Sequence, residues 1–174
     1  MIRYRTSPSS INLMLECPRC FWLQVVKELK RPDTIFPSLP SGMDRVLKEH
    51  FDRFMEKDEL PPEIKEACGD CKLFNDKETL EEWRDGKQGL KFLDPKTKIL
   101  LTGAIDNILI KNGKLIVLDF KTRGYPTKEN THAYYQTQMD LYNFLLRKNG
   151  YPIRDYSYLL FYYPNKVLET GEIV

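Results

Sequence analysis

The sequence predicts an α/β (α+β) fold in which N-terminal helices precede a β-β-β-α-β unit. Three observations support this prediction. Apolar residues recur at helical spacing through the first 84 positions, and the spacing changes to that of strands from Leu90 onwards. Between two apolar runs lies Asn112-Gly113. This dipeptide is typical of a two-residue β-hairpin turn, because both turn residues need positive φ.

The composition is that of an ordinary globular protein. The 174 residues are 41% hydrophobic and 30% charged, with a formal net charge of +2, and this length suits one domain with its own core. No apolar run is long enough to span a membrane, and the polar first ten residues do not resemble a signal peptide. We therefore expect a cytoplasmic protein that does not bind membranes.

Any affinity for a phosphate backbone must come from local basic clusters, because the whole chain is nearly neutral. A solvated surface is the commoner role for clusters as small as those found, and contact with nucleic acid is the alternative. Two clusters occur, namely Lys27, Lys30 and Arg31, and Lys121, Arg123 and Lys128.

The first part of the chain, residues 7–84, is predicted to be helical. Ser7 can cap a helix that has Pro8 at its first position, and Pro18 is expected to break or kink it. Ser41 is expected to cap a second helix, and Pro61-Pro62 to end that region. The predicted segments are helices at 11–17, continuing to 26, at 41–57 and at 77–84, with a loop at 31–40.

The second part, residues 88–164, is predicted to contain the sheet. Asn149-Gly150 stops its one long helix, because glycine readily takes the left-handed conformation that ends helices. The predicted segments are strands at 90–93, 99–110, 115–121 and 156–163, a loop at 124–130 and a helix at 132–148.

The hairpin turn fixes which residues face each other across its two strands. With Asn112 and Gly113 as the turn, side chains on one face alternate with those on the other. The predicted facing pairs are Lys111 with Lys114, Ile110 with Leu115, Ile108 with Val117, Asp106 with Asp119, and Ala104 with Lys121.

This register places Asp106 opposite Asp119, where two like charges repel each other. A divalent cation offsets that repulsion, and carboxylate oxygens suit Mg²⁺. Lys121 projects to the same side, and the backbone carbonyl of Phe120 offers another oxygen. The alternative is a solvated sheet edge at which both acids pair with lysines. Both acids interrupt strongly apolar strands, and from the residues alone the metal site and the solvated edge both stay open.

Three motifs lie in order on the predicted strands and helix, namely Gly103-Ala-Ile-Asp106, Asp119-Phe-Lys121 and Gln138-Met-Asp-Leu-Tyr142. Together they resemble the PD-(D/E)XK nuclease superfamily. They look most similar to its RecB-type and CRISPR-associated exonuclease branch, which has G-x-x-D, D/E-x-K and Q-x-x-x-Y motifs in this order. The opening serines and Cys17-Pro18 are also similar. The likeness extends from Ser7 to about Tyr163.

The resemblance implies a restriction-endonuclease-like α-β-β-β-α-β core, with a central mixed sheet flanked by helices and extra N-terminal helices. It implies one nuclease domain over residues 1–174. The chain ends soon after its last predicted strand, which raises the alternative that a C-terminal segment is missing.

By resemblance, Asp106 and Asp119 hold Mg²⁺ or Mn²⁺. Lys121 acts on the attacking water or on the phosphate. Gln138 and Tyr142, which share a helix face, contact DNA together with Arg123. For Tyr142, the alternative is a core aromatic.

That branch often has a metal-binding histidine on the preceding helix, about four residues after a small residue. Here, four residues after Gly42 is Val46, and His50 follows one turn later. A lone histidine on an apolar face is more often a hydrogen-bonded core residue. Both interpretations of His50 stay open at this point.

Four cysteines form two C-x-x-C pairs, which are Cys17 with Cys20 and Cys68 with Cys71. Together they offer a tetrahedral zinc site, although their separation exceeds the usual zinc-ribbon spacing. Some CRISPR-associated relatives hold an iron–sulfur cluster with three cysteines near the C-terminus, and this sequence has none after Cys71. We favour free thiols.

The function predicted from the sequence is metal-dependent hydrolysis of DNA, in repair, recombination or CRISPR-type defence. Exonuclease and endonuclease action, and single- and double-stranded substrates, all remain open. The alternative is a catalytically idle DNA-binding or assembly module on a nuclease scaffold, since a fold does not determine a function.

Overall fold

A computed structural model describes residues 2–32 and 38–173 and shows a mixed α/β fold. None of the helices within these ranges is long and apolar enough to cross a membrane. The helices are α1 (Pro8–Glu16), α2 (Pro18–Phe21), α3 (Ser38–Met55), α4 (Pro62–Cys68), α5 (Lys77–Arg84) and α6 (Gln136–Lys148). The strands are β1 (Tyr4–Thr6), β2 (Lys72–Leu73), β3 (Leu90–Leu93), β4 (Ile99–Gly103), β5 (Asn107–Lys111), β6 (Lys114–Thr122) and β7 (Tyr158–Tyr162).

The strands form two mixed sheets rather than one central sheet. The first has the order β1-β4-β3, in which β1 is parallel to β4 and β3 is antiparallel to it. The second has the order β2-β5-β6-β7, in which β6 and β7 are parallel. The predicted fold class is confirmed. The predicted order of elements lacks β1 and β2, which lie in the part predicted to be helical, and it treats β4 and β5 as one strand.

The N-terminal helices begin and break largely where the sequence predicts. Ser7 and Ser10 form a reciprocal capping box at the start of α1, which has Pro8 at its first position. Cys17 has an extended backbone and separates α1 from α2, so the chain breaks just before Pro18. A π-helical turn, Trp22–Val26, follows α2.

Two expectations about the next helices are wrong. Helix α3 starts at Ser38, so Ser41 is not its cap, and residues 38–40 are helical rather than loop. The rest of the predicted loop includes residues 33–37, which lie outside the described residues. Pro61-Pro62 does not end a region but starts α4. Proline is favoured in the first helical turn, where its missing N–H has no partner to lose.

The hairpin has the predicted register. Asn112 and Gly113 both have positive φ, and the ladder pairs Lys111 with Lys114 and Asn107 with Leu118. The predicted strand 99–110, however, is interrupted at residues 104–106, so neither Asp106 with Asp119 nor Ala104 with Lys121 is a pair of the strand ladder. The backbone there bonds to α5 instead, because the Ile105 N–H donates to the Trp83 carbonyl at 2.9 Å.

The core lies between the second sheet and the helices around it. Phe51 of α3 packs on Phe120 of β6 with ring centroids 4.7 Å apart, and Leu145 of α6 is fully buried. Helix α6 follows a 3₁₀ turn, Thr131–Tyr135, and ends at Asn149. This packing brings α3 and α6 to the edge of the sheet where β5 begins and β6 ends.

Candidate active site

The two predicted carboxylates lie at the open end of the β5–β6 hairpin. Asp119 is inside β6 and only 1% exposed. Asp106 directly precedes β5, and its Oδ2 accepts the Phe120 N–H at 3.2 Å. This side-chain bond falls just beyond the last ladder pair. It therefore holds Asp106 against β6, beside Asp119.

Two lysines balance these carboxylates. Lys121 of β6 forms an ion pair with Asp119, and its Nζ also lies 4.9 Å from the centre of the Tyr135 ring. Lys48 reaches the site from α3, outside the hairpin. Its Nζ lies 3.1 Å from Asp106 Oδ1 and 2.8 Å from Asp44 Oδ2. The site thus combines charges from α3 with charges from the hairpin.

The charges of this site shift two pKa values. Burial and the neighbouring charge of Asp106 raise the pKa of Asp119 to about 7, although Lys121 and Lys48 pull it down. Burial opposes the charged form of Lys48. Asp106 and Asp44 outweigh that effect, so the pKa of Lys48 lies above its ordinary value. The balance of charge is therefore incomplete at Asp119, and another cation would stabilise its ionised form.

Arg84, at the end of α5, fixes the backbone at Asp106. Its guanidinium makes a two-pronged ion pair with Asp52 of α3, at 2.8 and 2.9 Å. Its Nε also donates to the Asp106 carbonyl at 2.8 Å. One side chain therefore joins α3, α5 and the strand break, and it sets the position from which Asp106 projects.

A family model described as the PD-(D/E)XK nuclease superfamily matches residues 36–169 of the 174-residue chain. The chain belongs to the PD-(D/E)XK nuclease superfamily. No curated protein and no solved structure matches it. The members of the superfamily are generally nucleases, and they typically use a divalent metal ion such as Mg²⁺.

The donor set of this PD-(D/E)XK chain fits a divalent cation. Asp106 and Asp119 offer hard oxygens, and the carboxylate of Asp119 is buried with the ammonium of Lys121 at its Oδ2. The raised pKa of Asp119 is the expected result of confining two carboxylates without enough positive charge. A bound divalent ion would remove that penalty.

The third sequence motif lies on α6, with Tyr142 close enough to the carboxylates to feel their charge. Gln138 Nε2 donates to the Tyr142 hydroxyl at 2.8 Å. Burial raises the pKa of Tyr142; the bond from Gln138 opposes this, and the charges of Asp119 and Asp106 add to it, so the phenol keeps its proton. Tyr142 is 6% exposed, so it is both a packed core aromatic and a neighbour of the carboxylates.

The first motif begins with glycine because α6 passes close to β4. A Cβ on Gly103 would lie 2.7 Å from Leu145 Cδ1 and 3.1 Å from two ring carbons of Tyr142. Both distances are tighter than ordinary contact. Any larger residue would push Tyr142 and its helix away from the strand.

The structure does not bring His50 to the carboxylate pair. Its Nε2 lies 3.0 Å from Glu63 Oε1, and its ring packs edge-on against Phe54 at 5.1 Å. Lys48, two residues earlier, lies on another side of the helix and faces Asp106 instead. We therefore leave His50 out of the ligand set and assign it to packing between α3 and α4.

The four cysteines do not converge on one point. Cys68 and Cys71 are buried and joined by a disulfide, whereas Cys17 and Cys20 are free. Among the described residues, Cys68 and Cys71 form a candidate ligand group with Asp70, and neither Cys17 nor Cys20 belongs to it. A shared four-cysteine zinc or iron–sulfur site is thus not formed, and the expectation of free thiols fails for the second pair.

Sequence reasoning missed three charged residues of the site, which are Asp44, Lys48 and Arg84. Asp44 and Lys48 are four residues apart, a spacing that predicts a helix ion pair. That signal was present in the sequence. The contacts with Asp106 were not accessible from it, because they depend on how α3 and α5 dock against the sheet.

Proposed function

We propose that this protein is a metal-dependent nuclease that hydrolyses phosphodiester bonds of DNA. The observation that supports this most directly is the buried Asp119 beside Asp106, with Lys121 in contact with it. Two neighbouring carboxylates repel each other, and this repulsion destabilises a protein unless a cation binds to them. The match to a nuclease superfamily supports the same conclusion.

In this proposal Asp106, Asp119 and the carbonyl of Phe120 hold Mg²⁺ or Mn²⁺. Small, hard cations of this kind bind through one or two carboxylates and keep several waters. Bound there, the ion supplies Lewis-acid charge for the phosphate and lowers the pKa of a coordinated water.

The remaining residues bind and orient the substrate. Lys121, a cation beside Asp119, is suited to orient the attacking water and to stabilise charge that develops on the phosphate. Gln138 offers its amide and Tyr142 its protonated hydroxyl from α6. Arg123, two residues beyond Lys121, supplies a further positive charge for the backbone of the strand.

Lys48 has a separate role in this proposal. In the metal-free protein its ammonium neutralises Asp106 at 3.1 Å. If Asp106 held a divalent ion, the Lys48 ammonium would no longer be needed to neutralise this carboxylate and would be available to a phosphate oxygen. Lys48 is thus the counter-charge of Asp106 in the metal-free protein.

The decisive experiment incubates labelled single- and double-stranded DNA with the purified protein in Mn²⁺, Mg²⁺ or EDTA. We expect cleavage with either metal and none in EDTA. Lys121→Ala should reduce the rate by about 10²–10⁴-fold, the range for loss of a general acid–base group. Mn²⁺ binding measured by titration calorimetry should not weaken, because a charged lysine does not ligate metal and Lys121 pairs with the ligand Asp119.

Lys114→Ala is the matched control, since Lys114 lies on the same strand at the hairpin turn. It should retain full activity. Cleavage that persists in EDTA, or full activity of Lys121→Ala, would contradict the proposed mechanism. DNA binding without cleavage in any metal would favour the idle binding module instead. This proposal has three further parts. The protein belongs to the RecB-type branch, it is located in the cytoplasm, and it acts in repair, recombination or CRISPR-type defence.

A further inference from the structure

A segment that links two parts of the candidate site carries two unusually exposed tyrosines. Residues 123–135, here called the tyrosine segment, run from just beyond Lys121 to the start of α6. Tyr125 is 80% exposed and Tyr134 is 81% exposed. Most of each aromatic ring is thus in water. A tyrosine ring offers an apolar face and a polar hydroxyl, so an exposed tyrosine can contact a partner with both.

Backbone and side-chain bonds hold this segment in place. The Arg123 N–H donates to the Tyr162 carbonyl at 2.8 Å, which fixes the start of the segment to β7. Further along, Thr131 is buried and closes a turn with Lys128. Its Oγ1 accepts the Lys128 N–H at 2.8 Å, and its own N–H donates to the Lys128 carbonyl at 3.0 Å. Tyr125 lies between these two anchored points.

The tyrosine segment is continuous with the site. Tyr134 directly precedes Tyr135, whose ring centre lies 4.9 Å from Lys121 Nζ and packs against Phe161 at 5.9 Å. Tyr125 is four residues beyond Lys121 in the chain. Both exposed rings therefore lie on chain that either leaves or enters the carboxylate site, rather than on a distant surface.

The charge of the segment suits a nucleic-acid backbone. Arg123 and Lys128 are basic, Lys121 lies at its base, and Glu129 is the one acidic residue between positions 123 and 135. Two basic residues and one acidic residue give the tyrosine segment a net charge of +1, and both basic residues follow Lys121 within seven positions. Basic side chains interleaved with exposed aromatic rings are the combination that binds single-stranded nucleic acid.

We propose that Tyr125 and Tyr134 stack against unpaired bases of a single DNA strand and guide it to Asp106 and Asp119. This inference rests on the proposed nuclease function and specifies its substrate. In a duplex, each base already stacks on its neighbours, so its face is not available to a protein side chain. An unpaired base exposes that face, and stacking would cover both the base and the tyrosine. The preferred substrates are then single strands and the unpaired ends of duplexes.

The test measures binding of a short, labelled oligothymidine strand by fluorescence anisotropy in EDTA, so that no cleavage intervenes. Tyr125→Ala and Tyr134→Ala should each weaken binding by about 5- to 150-fold, which corresponds to about 1–3 kcal/mol of stacking per base. Tyr125→Phe and Tyr134→Phe should bind like the parent, because the ring is kept. Tyr156→Ala is the matched control: it is 42% exposed and precedes β7 on the side toward the hairpin turn, and it should have no effect.

A second strand of the same length with abasic sites separates stacking from charge. The parent should bind it more weakly than oligothymidine, and the alanine variants should bind it as the parent does. The inference is overturned if the abasic strand binds the parent equally well. It is also overturned if both alanine variants keep full affinity, or if the parent prefers blunt duplex.

These outcomes are distinguishable from failure of the nuclease proposal. Tyrosine-dependent binding of single strands without cleavage in Mn²⁺ would reject hydrolysis and keep the stacking site. Metal-dependent cleavage that neither alanine variant changes would keep the nuclease and reject the stacking site.

Discussion

Replacing Asp119 with asparagine should make the metal-free protein less sensitive to pH. In the unfolded chain this carboxyl loses its proton near the ordinary pKa of 3.8, whereas in the folded protein it holds it until about pH 7. The folded state binds the extra proton between these values. The free energy of unfolding of the parent should therefore fall as pH rises through this window, and level off above it.

The size of this effect follows from the two pKa values. At 1.36 kcal/mol for each pH unit, the difference between 3.8 and about 7 corresponds to at most about 4 kcal/mol. Asparagine has no charge to bury, so Asp119→Asn loses this dependence while keeping the shape of the side chain. In EDTA near pH 8, the free energy of unfolding of the variant should match or exceed that of the parent. As pH falls to about 4, the free energy of unfolding of the parent should rise relative to that of the variant.

Urea unfolding of parent and variant, in EDTA at several pH values across this window, measures the difference. Added Mn²⁺ provides the counterpart measurement. It should stabilise the parent by about 2.7 kcal/mol at a hundredfold excess over its Kd, and Asp119→Asn much less, because a ligand charge is gone. Parallel pH profiles for the two proteins in EDTA would refute the account of Asp119 as a buried carboxyl whose charge Lys121 offsets only in part.

Two further substitutions test the surroundings of the site. Lys48→Met removes the ammonium 3.1 Å from Asp106. It should lower the stability of the metal-free protein and tighten Mn²⁺ binding by about tenfold, or about 1.4 kcal/mol. Unchanged or weaker Mn²⁺ binding by calorimetry would contradict the idea that Lys48 and the metal compete for Asp106. Gly103→Ala should cost about 1–3 kcal/mol of stability through overpacking against Tyr142, measured by urea unfolding. Gly42→Ala, where no atom lies within 4 Å, is its control and should stabilise α3 by up to about 1 kcal/mol.

The parts of the site that the sequence predicted are those governed by local rules. The Asn112-Gly113 turn determines the register of β5 and β6, and through it the neighbourhood of Asp106 and Asp119. Side-chain alternation then places Lys121 on the same face as Asp119. These relations extend over a few residues on either side of one turn, so no knowledge of tertiary packing was needed.

The parts that could not be predicted depend on docking between distant elements. Ala104 was expected to pair across the hairpin, but Ile105 bonds to Trp83 of α5 and ends the strand there. His50 was expected on the inward face of its helix. The rotation of α3 about its own axis is set by the packing of Phe51 on Phe120, and this turns Lys48 toward the site. Sequence periodicity shows that a helix has an apolar side. It does not show which of the polar residues bordering that side contacts the sheet.

The route by which Asp106 and Asp119 acquire their counter-charges has a consequence for the order of folding. The β5–β6 hairpin joins residues close in sequence, and hairpins form in about 1–10 μs. The contact of Lys48 with Asp106 spans a much longer stretch of chain, and closing such a loop is slower. We therefore expect the two carboxylates to approach each other before α3 brings Lys48. At that stage Lys121 is the cation that the hairpin itself supplies.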